Sequence, residues 1–337
     1  MIEPLYSADG SRYDKMEYRR AGKSGVRLPL LSLGLWQNFG SHTPFRHSKE
    51  ILHYAFDHGI CHFDLANNYG PEYGAAEETF GRVMAASFKP YRDELFISTK
   101  AGYDMWQGPY GNWGSRKYLM ASLDQSLKRM NLDYVDIFYS HRLDPDTPIE
   151  ETMQALVDIV KQGKALYAGI SRYPYACADK AYKYLAEHDV PCLLLQDKYN
   201  ILDRSIQEKG SIDLAVNSGA GLIIFSPLQQ GLLTSRYLDG IPQDSRMARN
   251  QSLKQSTLSP ELQAALRELD AIAQRRGQSL AQMSLSWLMR DPRVTSVIVG
   301  ASSVEQLRDN LKAMENQSFT PEELAAIDRI SGPHQCR

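Results

Sequence analysis

Residues 94–142 read ELFISTKAGYDMWQGPYGNWGSRKYLMASLDQSLKRMNLDYVDIFYSHR. Two short runs of apolar and β-branched residues, ELFISTK (94–100) and YVDIFYSH (134–141), flank a segment of helical period, SRKYLMASLDQSLKRMN (115–131), which opens on a serine and closes on an asparagine. Strand, helix and strand in that order predict parallel pairing with the helix packed outside the sheet. The unit recurs in both directions. HFDLA (62–66) precedes it, and ALYAGISR (165–172), CLLLQDKY (192–199), GLIIFSPL (221–228) and VTSVIVG (294–300) follow, with SKEILHYAFDHG, IEETMQALVDIVKQGK and SLAQMSLSWLMRD supplying further helical periods. Ahead of all of them, MEYRRAGKSGVRLPLLSLGLW predicts a hairpin about AGKSG that runs into a first buried strand ending near Trp36.

The total is eight βα steps, which favours closure into an α/β (β/α)8 TIM barrel with an N-terminal β-hairpin, read as one domain over residues 1–337. An open, doubly wound sheet is the alternative, but it normally carries GxGxxG after its first strand, and no such motif occurs in the sequence. Composition narrows the function. A net charge of -2 without a basic stretch gives no reason to expect nucleic acid or an anionic membrane as a partner, which leaves small-molecule chemistry. The start of the chain lacks the pattern of a secretory signal, no apolar run is long enough to span a bilayer, and Cys61, Cys177, Cys192 and Cys336 have no CxxC spacing, so a cytoplasmic protein is expected. Cys61, Cys177 and Cys192 read as small core hydrophobes. No HExxH is present, and no metal is expected.

Two connections exceed the usual length: GYDMWQGPYGNWGSRKY after the third barrel strand, and the stretch from GLLTSRYLDG through RMARNQSLKQSTLSPEL after the seventh. Both follow carboxyl ends of strands, where barrels of this type place their sites, so both read as binding loops. Successive strand ends there carry Asp64 with Tyr69 five residues on, then Lys100, then His141. Each residue alone has an ordinary structural explanation, but barrel closure brings neighbouring strand ends around one mouth. Together they suit reduction of a carbonyl: Tyr69 as proton donor, Lys100 as a cation that lowers the phenol's pKa, Asp64 as the carboxylate that keeps Lys100 charged, and His141 as the group that orients the carbonyl.

The strings HFDLANNYG, ISTKAG and DIFYSHRLD resemble the active-site motifs of the aldo-keto reductase superfamily, and the likeness extends from about Tyr18 to about Ile330. The resemblance implies a (β/α)8 barrel that binds NADPH without a Rossmann motif, with Asp64, Tyr69, Lys100 and His141 as catalytic residues. It also implies cofactor contacts. GISRYP suggests Ser171 and Arg172, the latter standing where many members have Asn; LLQDKYN suggests Gln196; FSPLQQG suggests Phe225, Ser226, Leu228 and Gly231. SRYLDGIPQDSR suggests Arg236 and Arg246, on which a preference for NADPH rests, because a 2'-phosphate suits a guanidinium. GASSVEQLRDN suggests Gly300, Ser302, Gln306 and Asn310, with Asp309 replacing a more usual Glu.

Trp36 is placed both at the cofactor and, with Tyr69, Tyr103, Trp106 and His141, in the substrate pocket; Met105 and Trp113 lie in the same loop, whose aromatics serve equally well as its own packing core. Residues 98–142 are most similar to bacterial members that reduce L-glyceraldehyde 3-phosphate and accept methylglyoxal and similar small aldehydes. Homo-oligomers, tetrameric or larger, are implied by the same likeness. A cofactor-sensing subunit of a membrane channel is the competing reading, since channel β-subunits share the barrel; His141, where vertebrate channel subunits have Asn, favours an enzyme.

Overall fold

The structure, a computed structural model, describes residues 5–243, 245, 247–248 and 253–335. It opens on an antiparallel hairpin, β1 (Tyr18–Arg20) and β2 (Arg27–Pro29), closed by Ala21 N–H donating to the Val26 carbonyl at 2.9 Å. Eight parallel strands then form a closed barrel: β3 (Leu31–Gly34), β4 (His62–Asp64), β5 (Phe96–Ala101), β6 (Val135–Ser140), β7 (Ala165–Ser171), β8 (Cys192–Lys198), β9 (Gly221–Phe225) and β10 (Val294–Val299). The ladder runs in chain order and closes where β10 pairs with both β3 and β9. The open-sheet alternative is thereby excluded.

Helices pack outside: α1 (Phe45–Asp57), α2 (Ala75–Val83), α3 (Arg116–Met130), α4 (Ile149–Lys161), α5 (Tyr175–Glu187), α6 (Ser205–Glu208), α7 (Ser211–Ser218), α8 (Pro260–Arg275), α9 (Leu280–Met289), α10 (Val304–Leu311) and α11 (Pro321–Ser331). The sequence signals operate as written. In α3 the Ser115 side chain accepts from Tyr118 N–H, Asn131 ends the helix at φ 54°, and Tyr118, Leu119, Ser122, Leu123, Ser126, Leu127 and Met130 make one buried face. Capping by Ser279 and Gln282 starts α9, every residue of which is buried. The polar stretch after the seventh barrel strand ends earlier than its composition suggests, because Ser259 caps α8 and Pro260 begins it.

The hairpin closes the amino-terminal end of the barrel. Ala21 and Leu28 are fully buried and pack with Phe96, Ile137, Leu194 and Ile223 inside the bore. Cys61 and Cys192 are buried, and Cys177 on α5 is half-buried and packs against the core; Cys336 lies outside the described residues. Among the described residues no helix is long and apolar enough to cross a membrane, and no group of three His, Cys, Asp or Glu side chains is placed to hold a metal ion.

Candidate active site

Strand order places the four residues. In the β4–β5 ladder Asp64 is opposite Ser98, and Lys100, two residues further along β5, points to the same side as Ser98. His141 follows β6 directly, its N–H donating to the Ala101 carbonyl at 2.9 Å. Tyr69 sits in the turn after β4, where Asn67 N–H donates to Lys100 O (2.9 Å) and Gly70 N–H donates to Trp36 O (2.8 Å), tying that turn to two neighbouring strand ends.

The side chains meet accordingly. Lys100 Nζ, fully buried, donates to Asp64 Oδ2 at 2.7 Å and to Leu65 O at 2.6 Å, and stands 3.5 Å from the Tyr69 hydroxyl. The Tyr69 and His141 rings meet edge to face with centroids 5.9 Å apart, and Tyr103 packs against the other side of His141 at 4.7 Å. Asp64 Oδ1 accepts from Ser98 Oγ at 2.8 Å and from Gln196 Nε2 at 2.9 Å. Burial lowers the Lys100 pKa, against the upward pull of Asp64 and, more weakly, Glu77. Burial also holds His141 well below the ordinary imidazole value, with Lys100, Arg172 and Arg142 pushing the same way, so its ring is neutral at pH 7.

For Tyr69 the direction is opposite to that expected from the sequence. Burial first, then Asp64 and Tyr103, push the phenol well above its usual range, and only Arg172 opposes them. The ammonium 3.5 Å from the phenol is itself paired with the Asp64 carboxylate at 2.7 Å, and burial outweighs it. The consequence is a phenol that keeps its proton at neutral pH.

The residues assigned to a cofactor lie on the same rim, at the ends of β7 to β10 and in the segments that follow. Ser171 ends β7 with its Oγ buried and unpartnered, and Arg172 next to it adopts φ +57° and donates from Nη1 to the Tyr103 hydroxyl at 3.0 Å. Gln196 on β8 has its amide nitrogen committed to Asp64, leaving Oε1 as the atom for a ligand. Phe225 ends β9. Beyond it Ser226, Gln229 and Gln230 adopt left-handed φ of +52°, +46° and +57°, and Gly231 follows at +103°; strain held in so short a segment is a mark of a binding loop. Leu228 lies within this turn and Arg236 in the 3-10 turn Ser235–Tyr237, whereas Arg246 falls outside the described residues.

After β10, Gly300 has open space where a side chain would be, Ser302 donates from N–H and Oγ to Gln306 Oε1 (2.8 and 3.0 Å), and Asn310 is buried with Nδ2 unpartnered. Asp309 is held by Gln282 Nε2 of α9 at 2.7 Å. Three buried polar atoms without a protein partner, Ser171 Oγ, Gln230 Oε1 and Asn310 Nδ2, thus occur in the segments assigned to the cofactor. Buried polar groups normally find partners, so an elongated, polar ligand such as a dinucleotide fits this rim.

In the long loop after β5, Tyr103 touches His141 and Trp113 stacks on the Arg142 guanidinium at 3.6 Å, while Trp36, just after β3, is 42% exposed beside the tied turn. Trp106, expected in the pocket, packs its ring on Tyr118 of α3 with centroids 5.0 Å apart. Sequence reasoning missed Ser98 and Gln230. Ser98 had a signal, since it shares the strand face of Lys100, whereas nothing in FSPLQQG marks Gln230 as strained.

Comparison with known proteins agrees with this geometry. The sequence model of the Aldo/keto reductase family matches residues 30–331, and the chain belongs to that family. It is 56% identical over 330 residues to the L-glyceraldehyde 3-phosphate reductase of Escherichia coli (strain K12), an alignment covering 96% of this chain and 95% of the relative. Similarity to a probable voltage-gated potassium channel subunit beta of Arabidopsis thaliana is lower, 36% over 322 residues, covering 94% of this chain and 96% of that protein. A crystal structure of a thermostable aldo-keto reductase in complex with the inhibitor epalrestat superposes with a TM-score of 0.73 at 30% identity, covering 94% of this chain and all of that one. The chain is therefore an oxidoreductase of a family that generally uses NAD(P)H.

Proposed function

We propose that the chain, acting as one barrel domain over residues 1–337, reduces small aldehydes to alcohols with NADPH, L-glyceraldehyde 3-phosphate and methylglyoxal among them. The observation that carries the reading is the Tyr69 phenol, held 3.5 Å from Lys100 Nζ and edge to face with His141 at the mouth of the barrel. NADPH, when bound, supplies the hydride. Tyr69 gives its proton to the carbonyl oxygen as that oxygen becomes an alkoxide, and the nearby ammonium stabilises the phenolate left behind. Neutral His141 presents its single ring N–H to the same oxygen and fixes the approach of the carbonyl. Asp64 holds Lys100 in place through the 2.7 Å ion pair.

Residues suited to hold the cofactor are Ser171, Arg172 and the Gln196 carbonyl for the carboxamide end, Phe225 and Trp36 for ring contact, Ser226, Leu228 and Gly231 for the pyrophosphate, and Gly300, Ser302, Gln306 and Asn310 for the adenosine. Arg236 and Arg246 supply the charge that favours NADPH over NADH. Tyr103, Trp106 and Trp36 wall the substrate side, beside Tyr69 and His141. A cytoplasmic homo-oligomer without a membrane partner is the setting proposed. The channel-subunit alternative is not favoured, because the reductase relative is far more similar than the channel relative.

The test is loss of NADPH absorbance on adding L-glyceraldehyde 3-phosphate or methylglyoxal. Tyr69→Phe should lower kcat by a factor of about 100 or more while still binding NADPH. A variant that keeps most of its turnover, or wild-type protein that oxidises NADH as well as NADPH, contradicts the corresponding part of the reading.

A further inference from the structure

Beneath the proposed catalytic group, the bore of the barrel contains a run of polar side chains that the chemistry above leaves unused. Ser296 Oγ on β10 donates to the Pro29 carbonyl at 2.6 Å and lies 2.6 Å from Ser32 Oγ on β3. Ser32 Oγ is 2.9 Å from His62 Nδ1, and His62 Nε2 is 3.1 Å from Ser98 Oγ on β5, which donates to Asp64 Oδ1 at 2.8 Å. Ser296, Ser32, His62 and Ser98 are all fully buried. An alternative acceptor for Ser98, the Phe63 carbonyl, is more distant at 3.4 Å.

Counting hydrogens along the run gives it a direction. Both ends, a carbonyl and a carboxylate, only accept. Five contacts therefore need five hydrogens, but three hydroxyls and a neutral imidazole bring four. An ionised Asp64 takes the Ser98 hydrogen, which obliges Ser98 Oγ to accept from His62 Nε2–H and leaves His62 Nδ1 to accept from Ser32. The shortfall then falls at the far end, where the single Ser296 hydrogen is shared between Ser32 and Pro29 O. A proton on Asp64 reverses the four links between Asp64 and Ser296, frees the Ser296 hydrogen for Pro29 O and fills all five. Charging His62 instead would also fill them, but burial opposes that and holds the imidazole down to about 4, Asp64 raising it and Lys100 lowering it.

We infer that His62, in its Nε2–H tautomer, is a positioning residue that acts through Ser98 to keep Asp64 aimed at Lys100. The groups that face it are Asp64 on its own strand, Lys100 and Ser98 on β5 with the edge of the Phe96 ring at 5.4 Å, and Ser32 on β3, itself bonded to Ser296 on β10. The consequence for turnover rests on the reading of Asp64 and Lys100 as catalytic. The tautomer does not.

Nitrogen-15 NMR of the wild-type imidazoles, with His62→Gln to assign the signal, should show a neutral ring protonated on Nε2 at pH 7. A ring protonated on Nδ1, or on both nitrogens, overturns the inference. In kinetics, Ser98→Ala and His62→Phe should lower kcat about tenfold and move the alkaline limb of the kcat profile down by about one pH unit, with KM and NADPH affinity unchanged. His62→Gln should recover most of the loss, since an amide can donate to Ser98 and accept from Ser32. An unmoved limb in Ser98→Ala, or a His62→Gln as impaired as His62→Phe, counts against it. Full turnover in Tyr69→Phe would sink the catalytic reading and leave the tautomer result intact, so the two failures are distinguishable.

Discussion

His62 and His141 are two imidazoles placed where charging them is costly, and stability should record it. Burial holds His62 at about 4 against an ordinary 6.5, and His141 is shifted the same way. Between those two values the unfolded chain takes up a proton at position 62 that the folded protein does not. Stability therefore falls as pH drops through that window and is unaffected by this group above it. For His62 alone the loss is about 3 kcal/mol across the full window. Urea unfolding at pH 7 and at pH 4.5 should show it, and His62→Gln should flatten the slope between the two; an equal slope in both proteins rejects the assignment. At this scale the sequence was informative about identity and poor about environment. Asp64, Tyr69, Lys100 and His141 could be singled out because each stands at or just past a strand end. The raised Tyr69 and the Ser98 link to Asp64 depend on which side chains face across neighbouring strands, and no run of letters states a cross-strand distance.

The loop between β5 and α3 is held to the site by a relay of polar contacts between elements. Asn67 Nδ2 donates to the Tyr118 hydroxyl at 3.0 Å, the Tyr118 hydroxyl donates to the Tyr103 carbonyl, and Arg142 Nε donates to the Gly102 carbonyl at 2.7 Å. Since Tyr103 rests on His141, the helix residue Tyr118 sets the pocket wall from behind. Tyr118→Phe keeps the buried ring and removes both bonds of its hydroxyl, of which the one to the Tyr103 carbonyl reaches the loop. It should raise KM for small aldehydes about fivefold, as expected for loss of that one anchoring bond, with kcat less affected because the four reacting side chains are untouched. Equal KM values would show that the loop needs no such anchor. The period of α3 and its end signals, Ser115 at the start and Asn131 at the close, were readable beforehand, because they are local. The partners of the loop's aromatics were not, since Trp106 on Tyr118 and Tyr103 on His141 differ only in which helix or strand end each meets.

At the scale of the molecule, direct pairing of β4, β5 and β6 in chain order gathers the four groups at one rim, and closure from β10 to β3 brings the ends of β7 to β10 round to the same rim. Eight βα steps in the sequence pointed to that closure, and the hairpin was readable from AGKSG, but its docking was not, because it depends on chain nearly two hundred positions away. Gly22 turns at φ +54°, and a Cβ there would stand 2.0 Å from the Gly219 carbonyl oxygen, while Lys23 N–H donates to that same oxygen at 2.9 Å. Gly22→Ala would therefore impose left-handed strain and drive the hairpin off the turn before β9, exposing part of the apolar surface of Ala21 and Leu28 that now seals the bore. We expect a loss of about 2–4 kcal/mol in unfolding free energy. Activity at 25 °C should stay close to wild type, because the hairpin lies at the end of the barrel opposite to the proposed site. Thermal unfolding followed alongside NADPH oxidation separates the two effects: a variant as stable as wild type would show that the hairpin is ornamental, and one that is stable but inactive would mean that the two ends of the barrel are coupled.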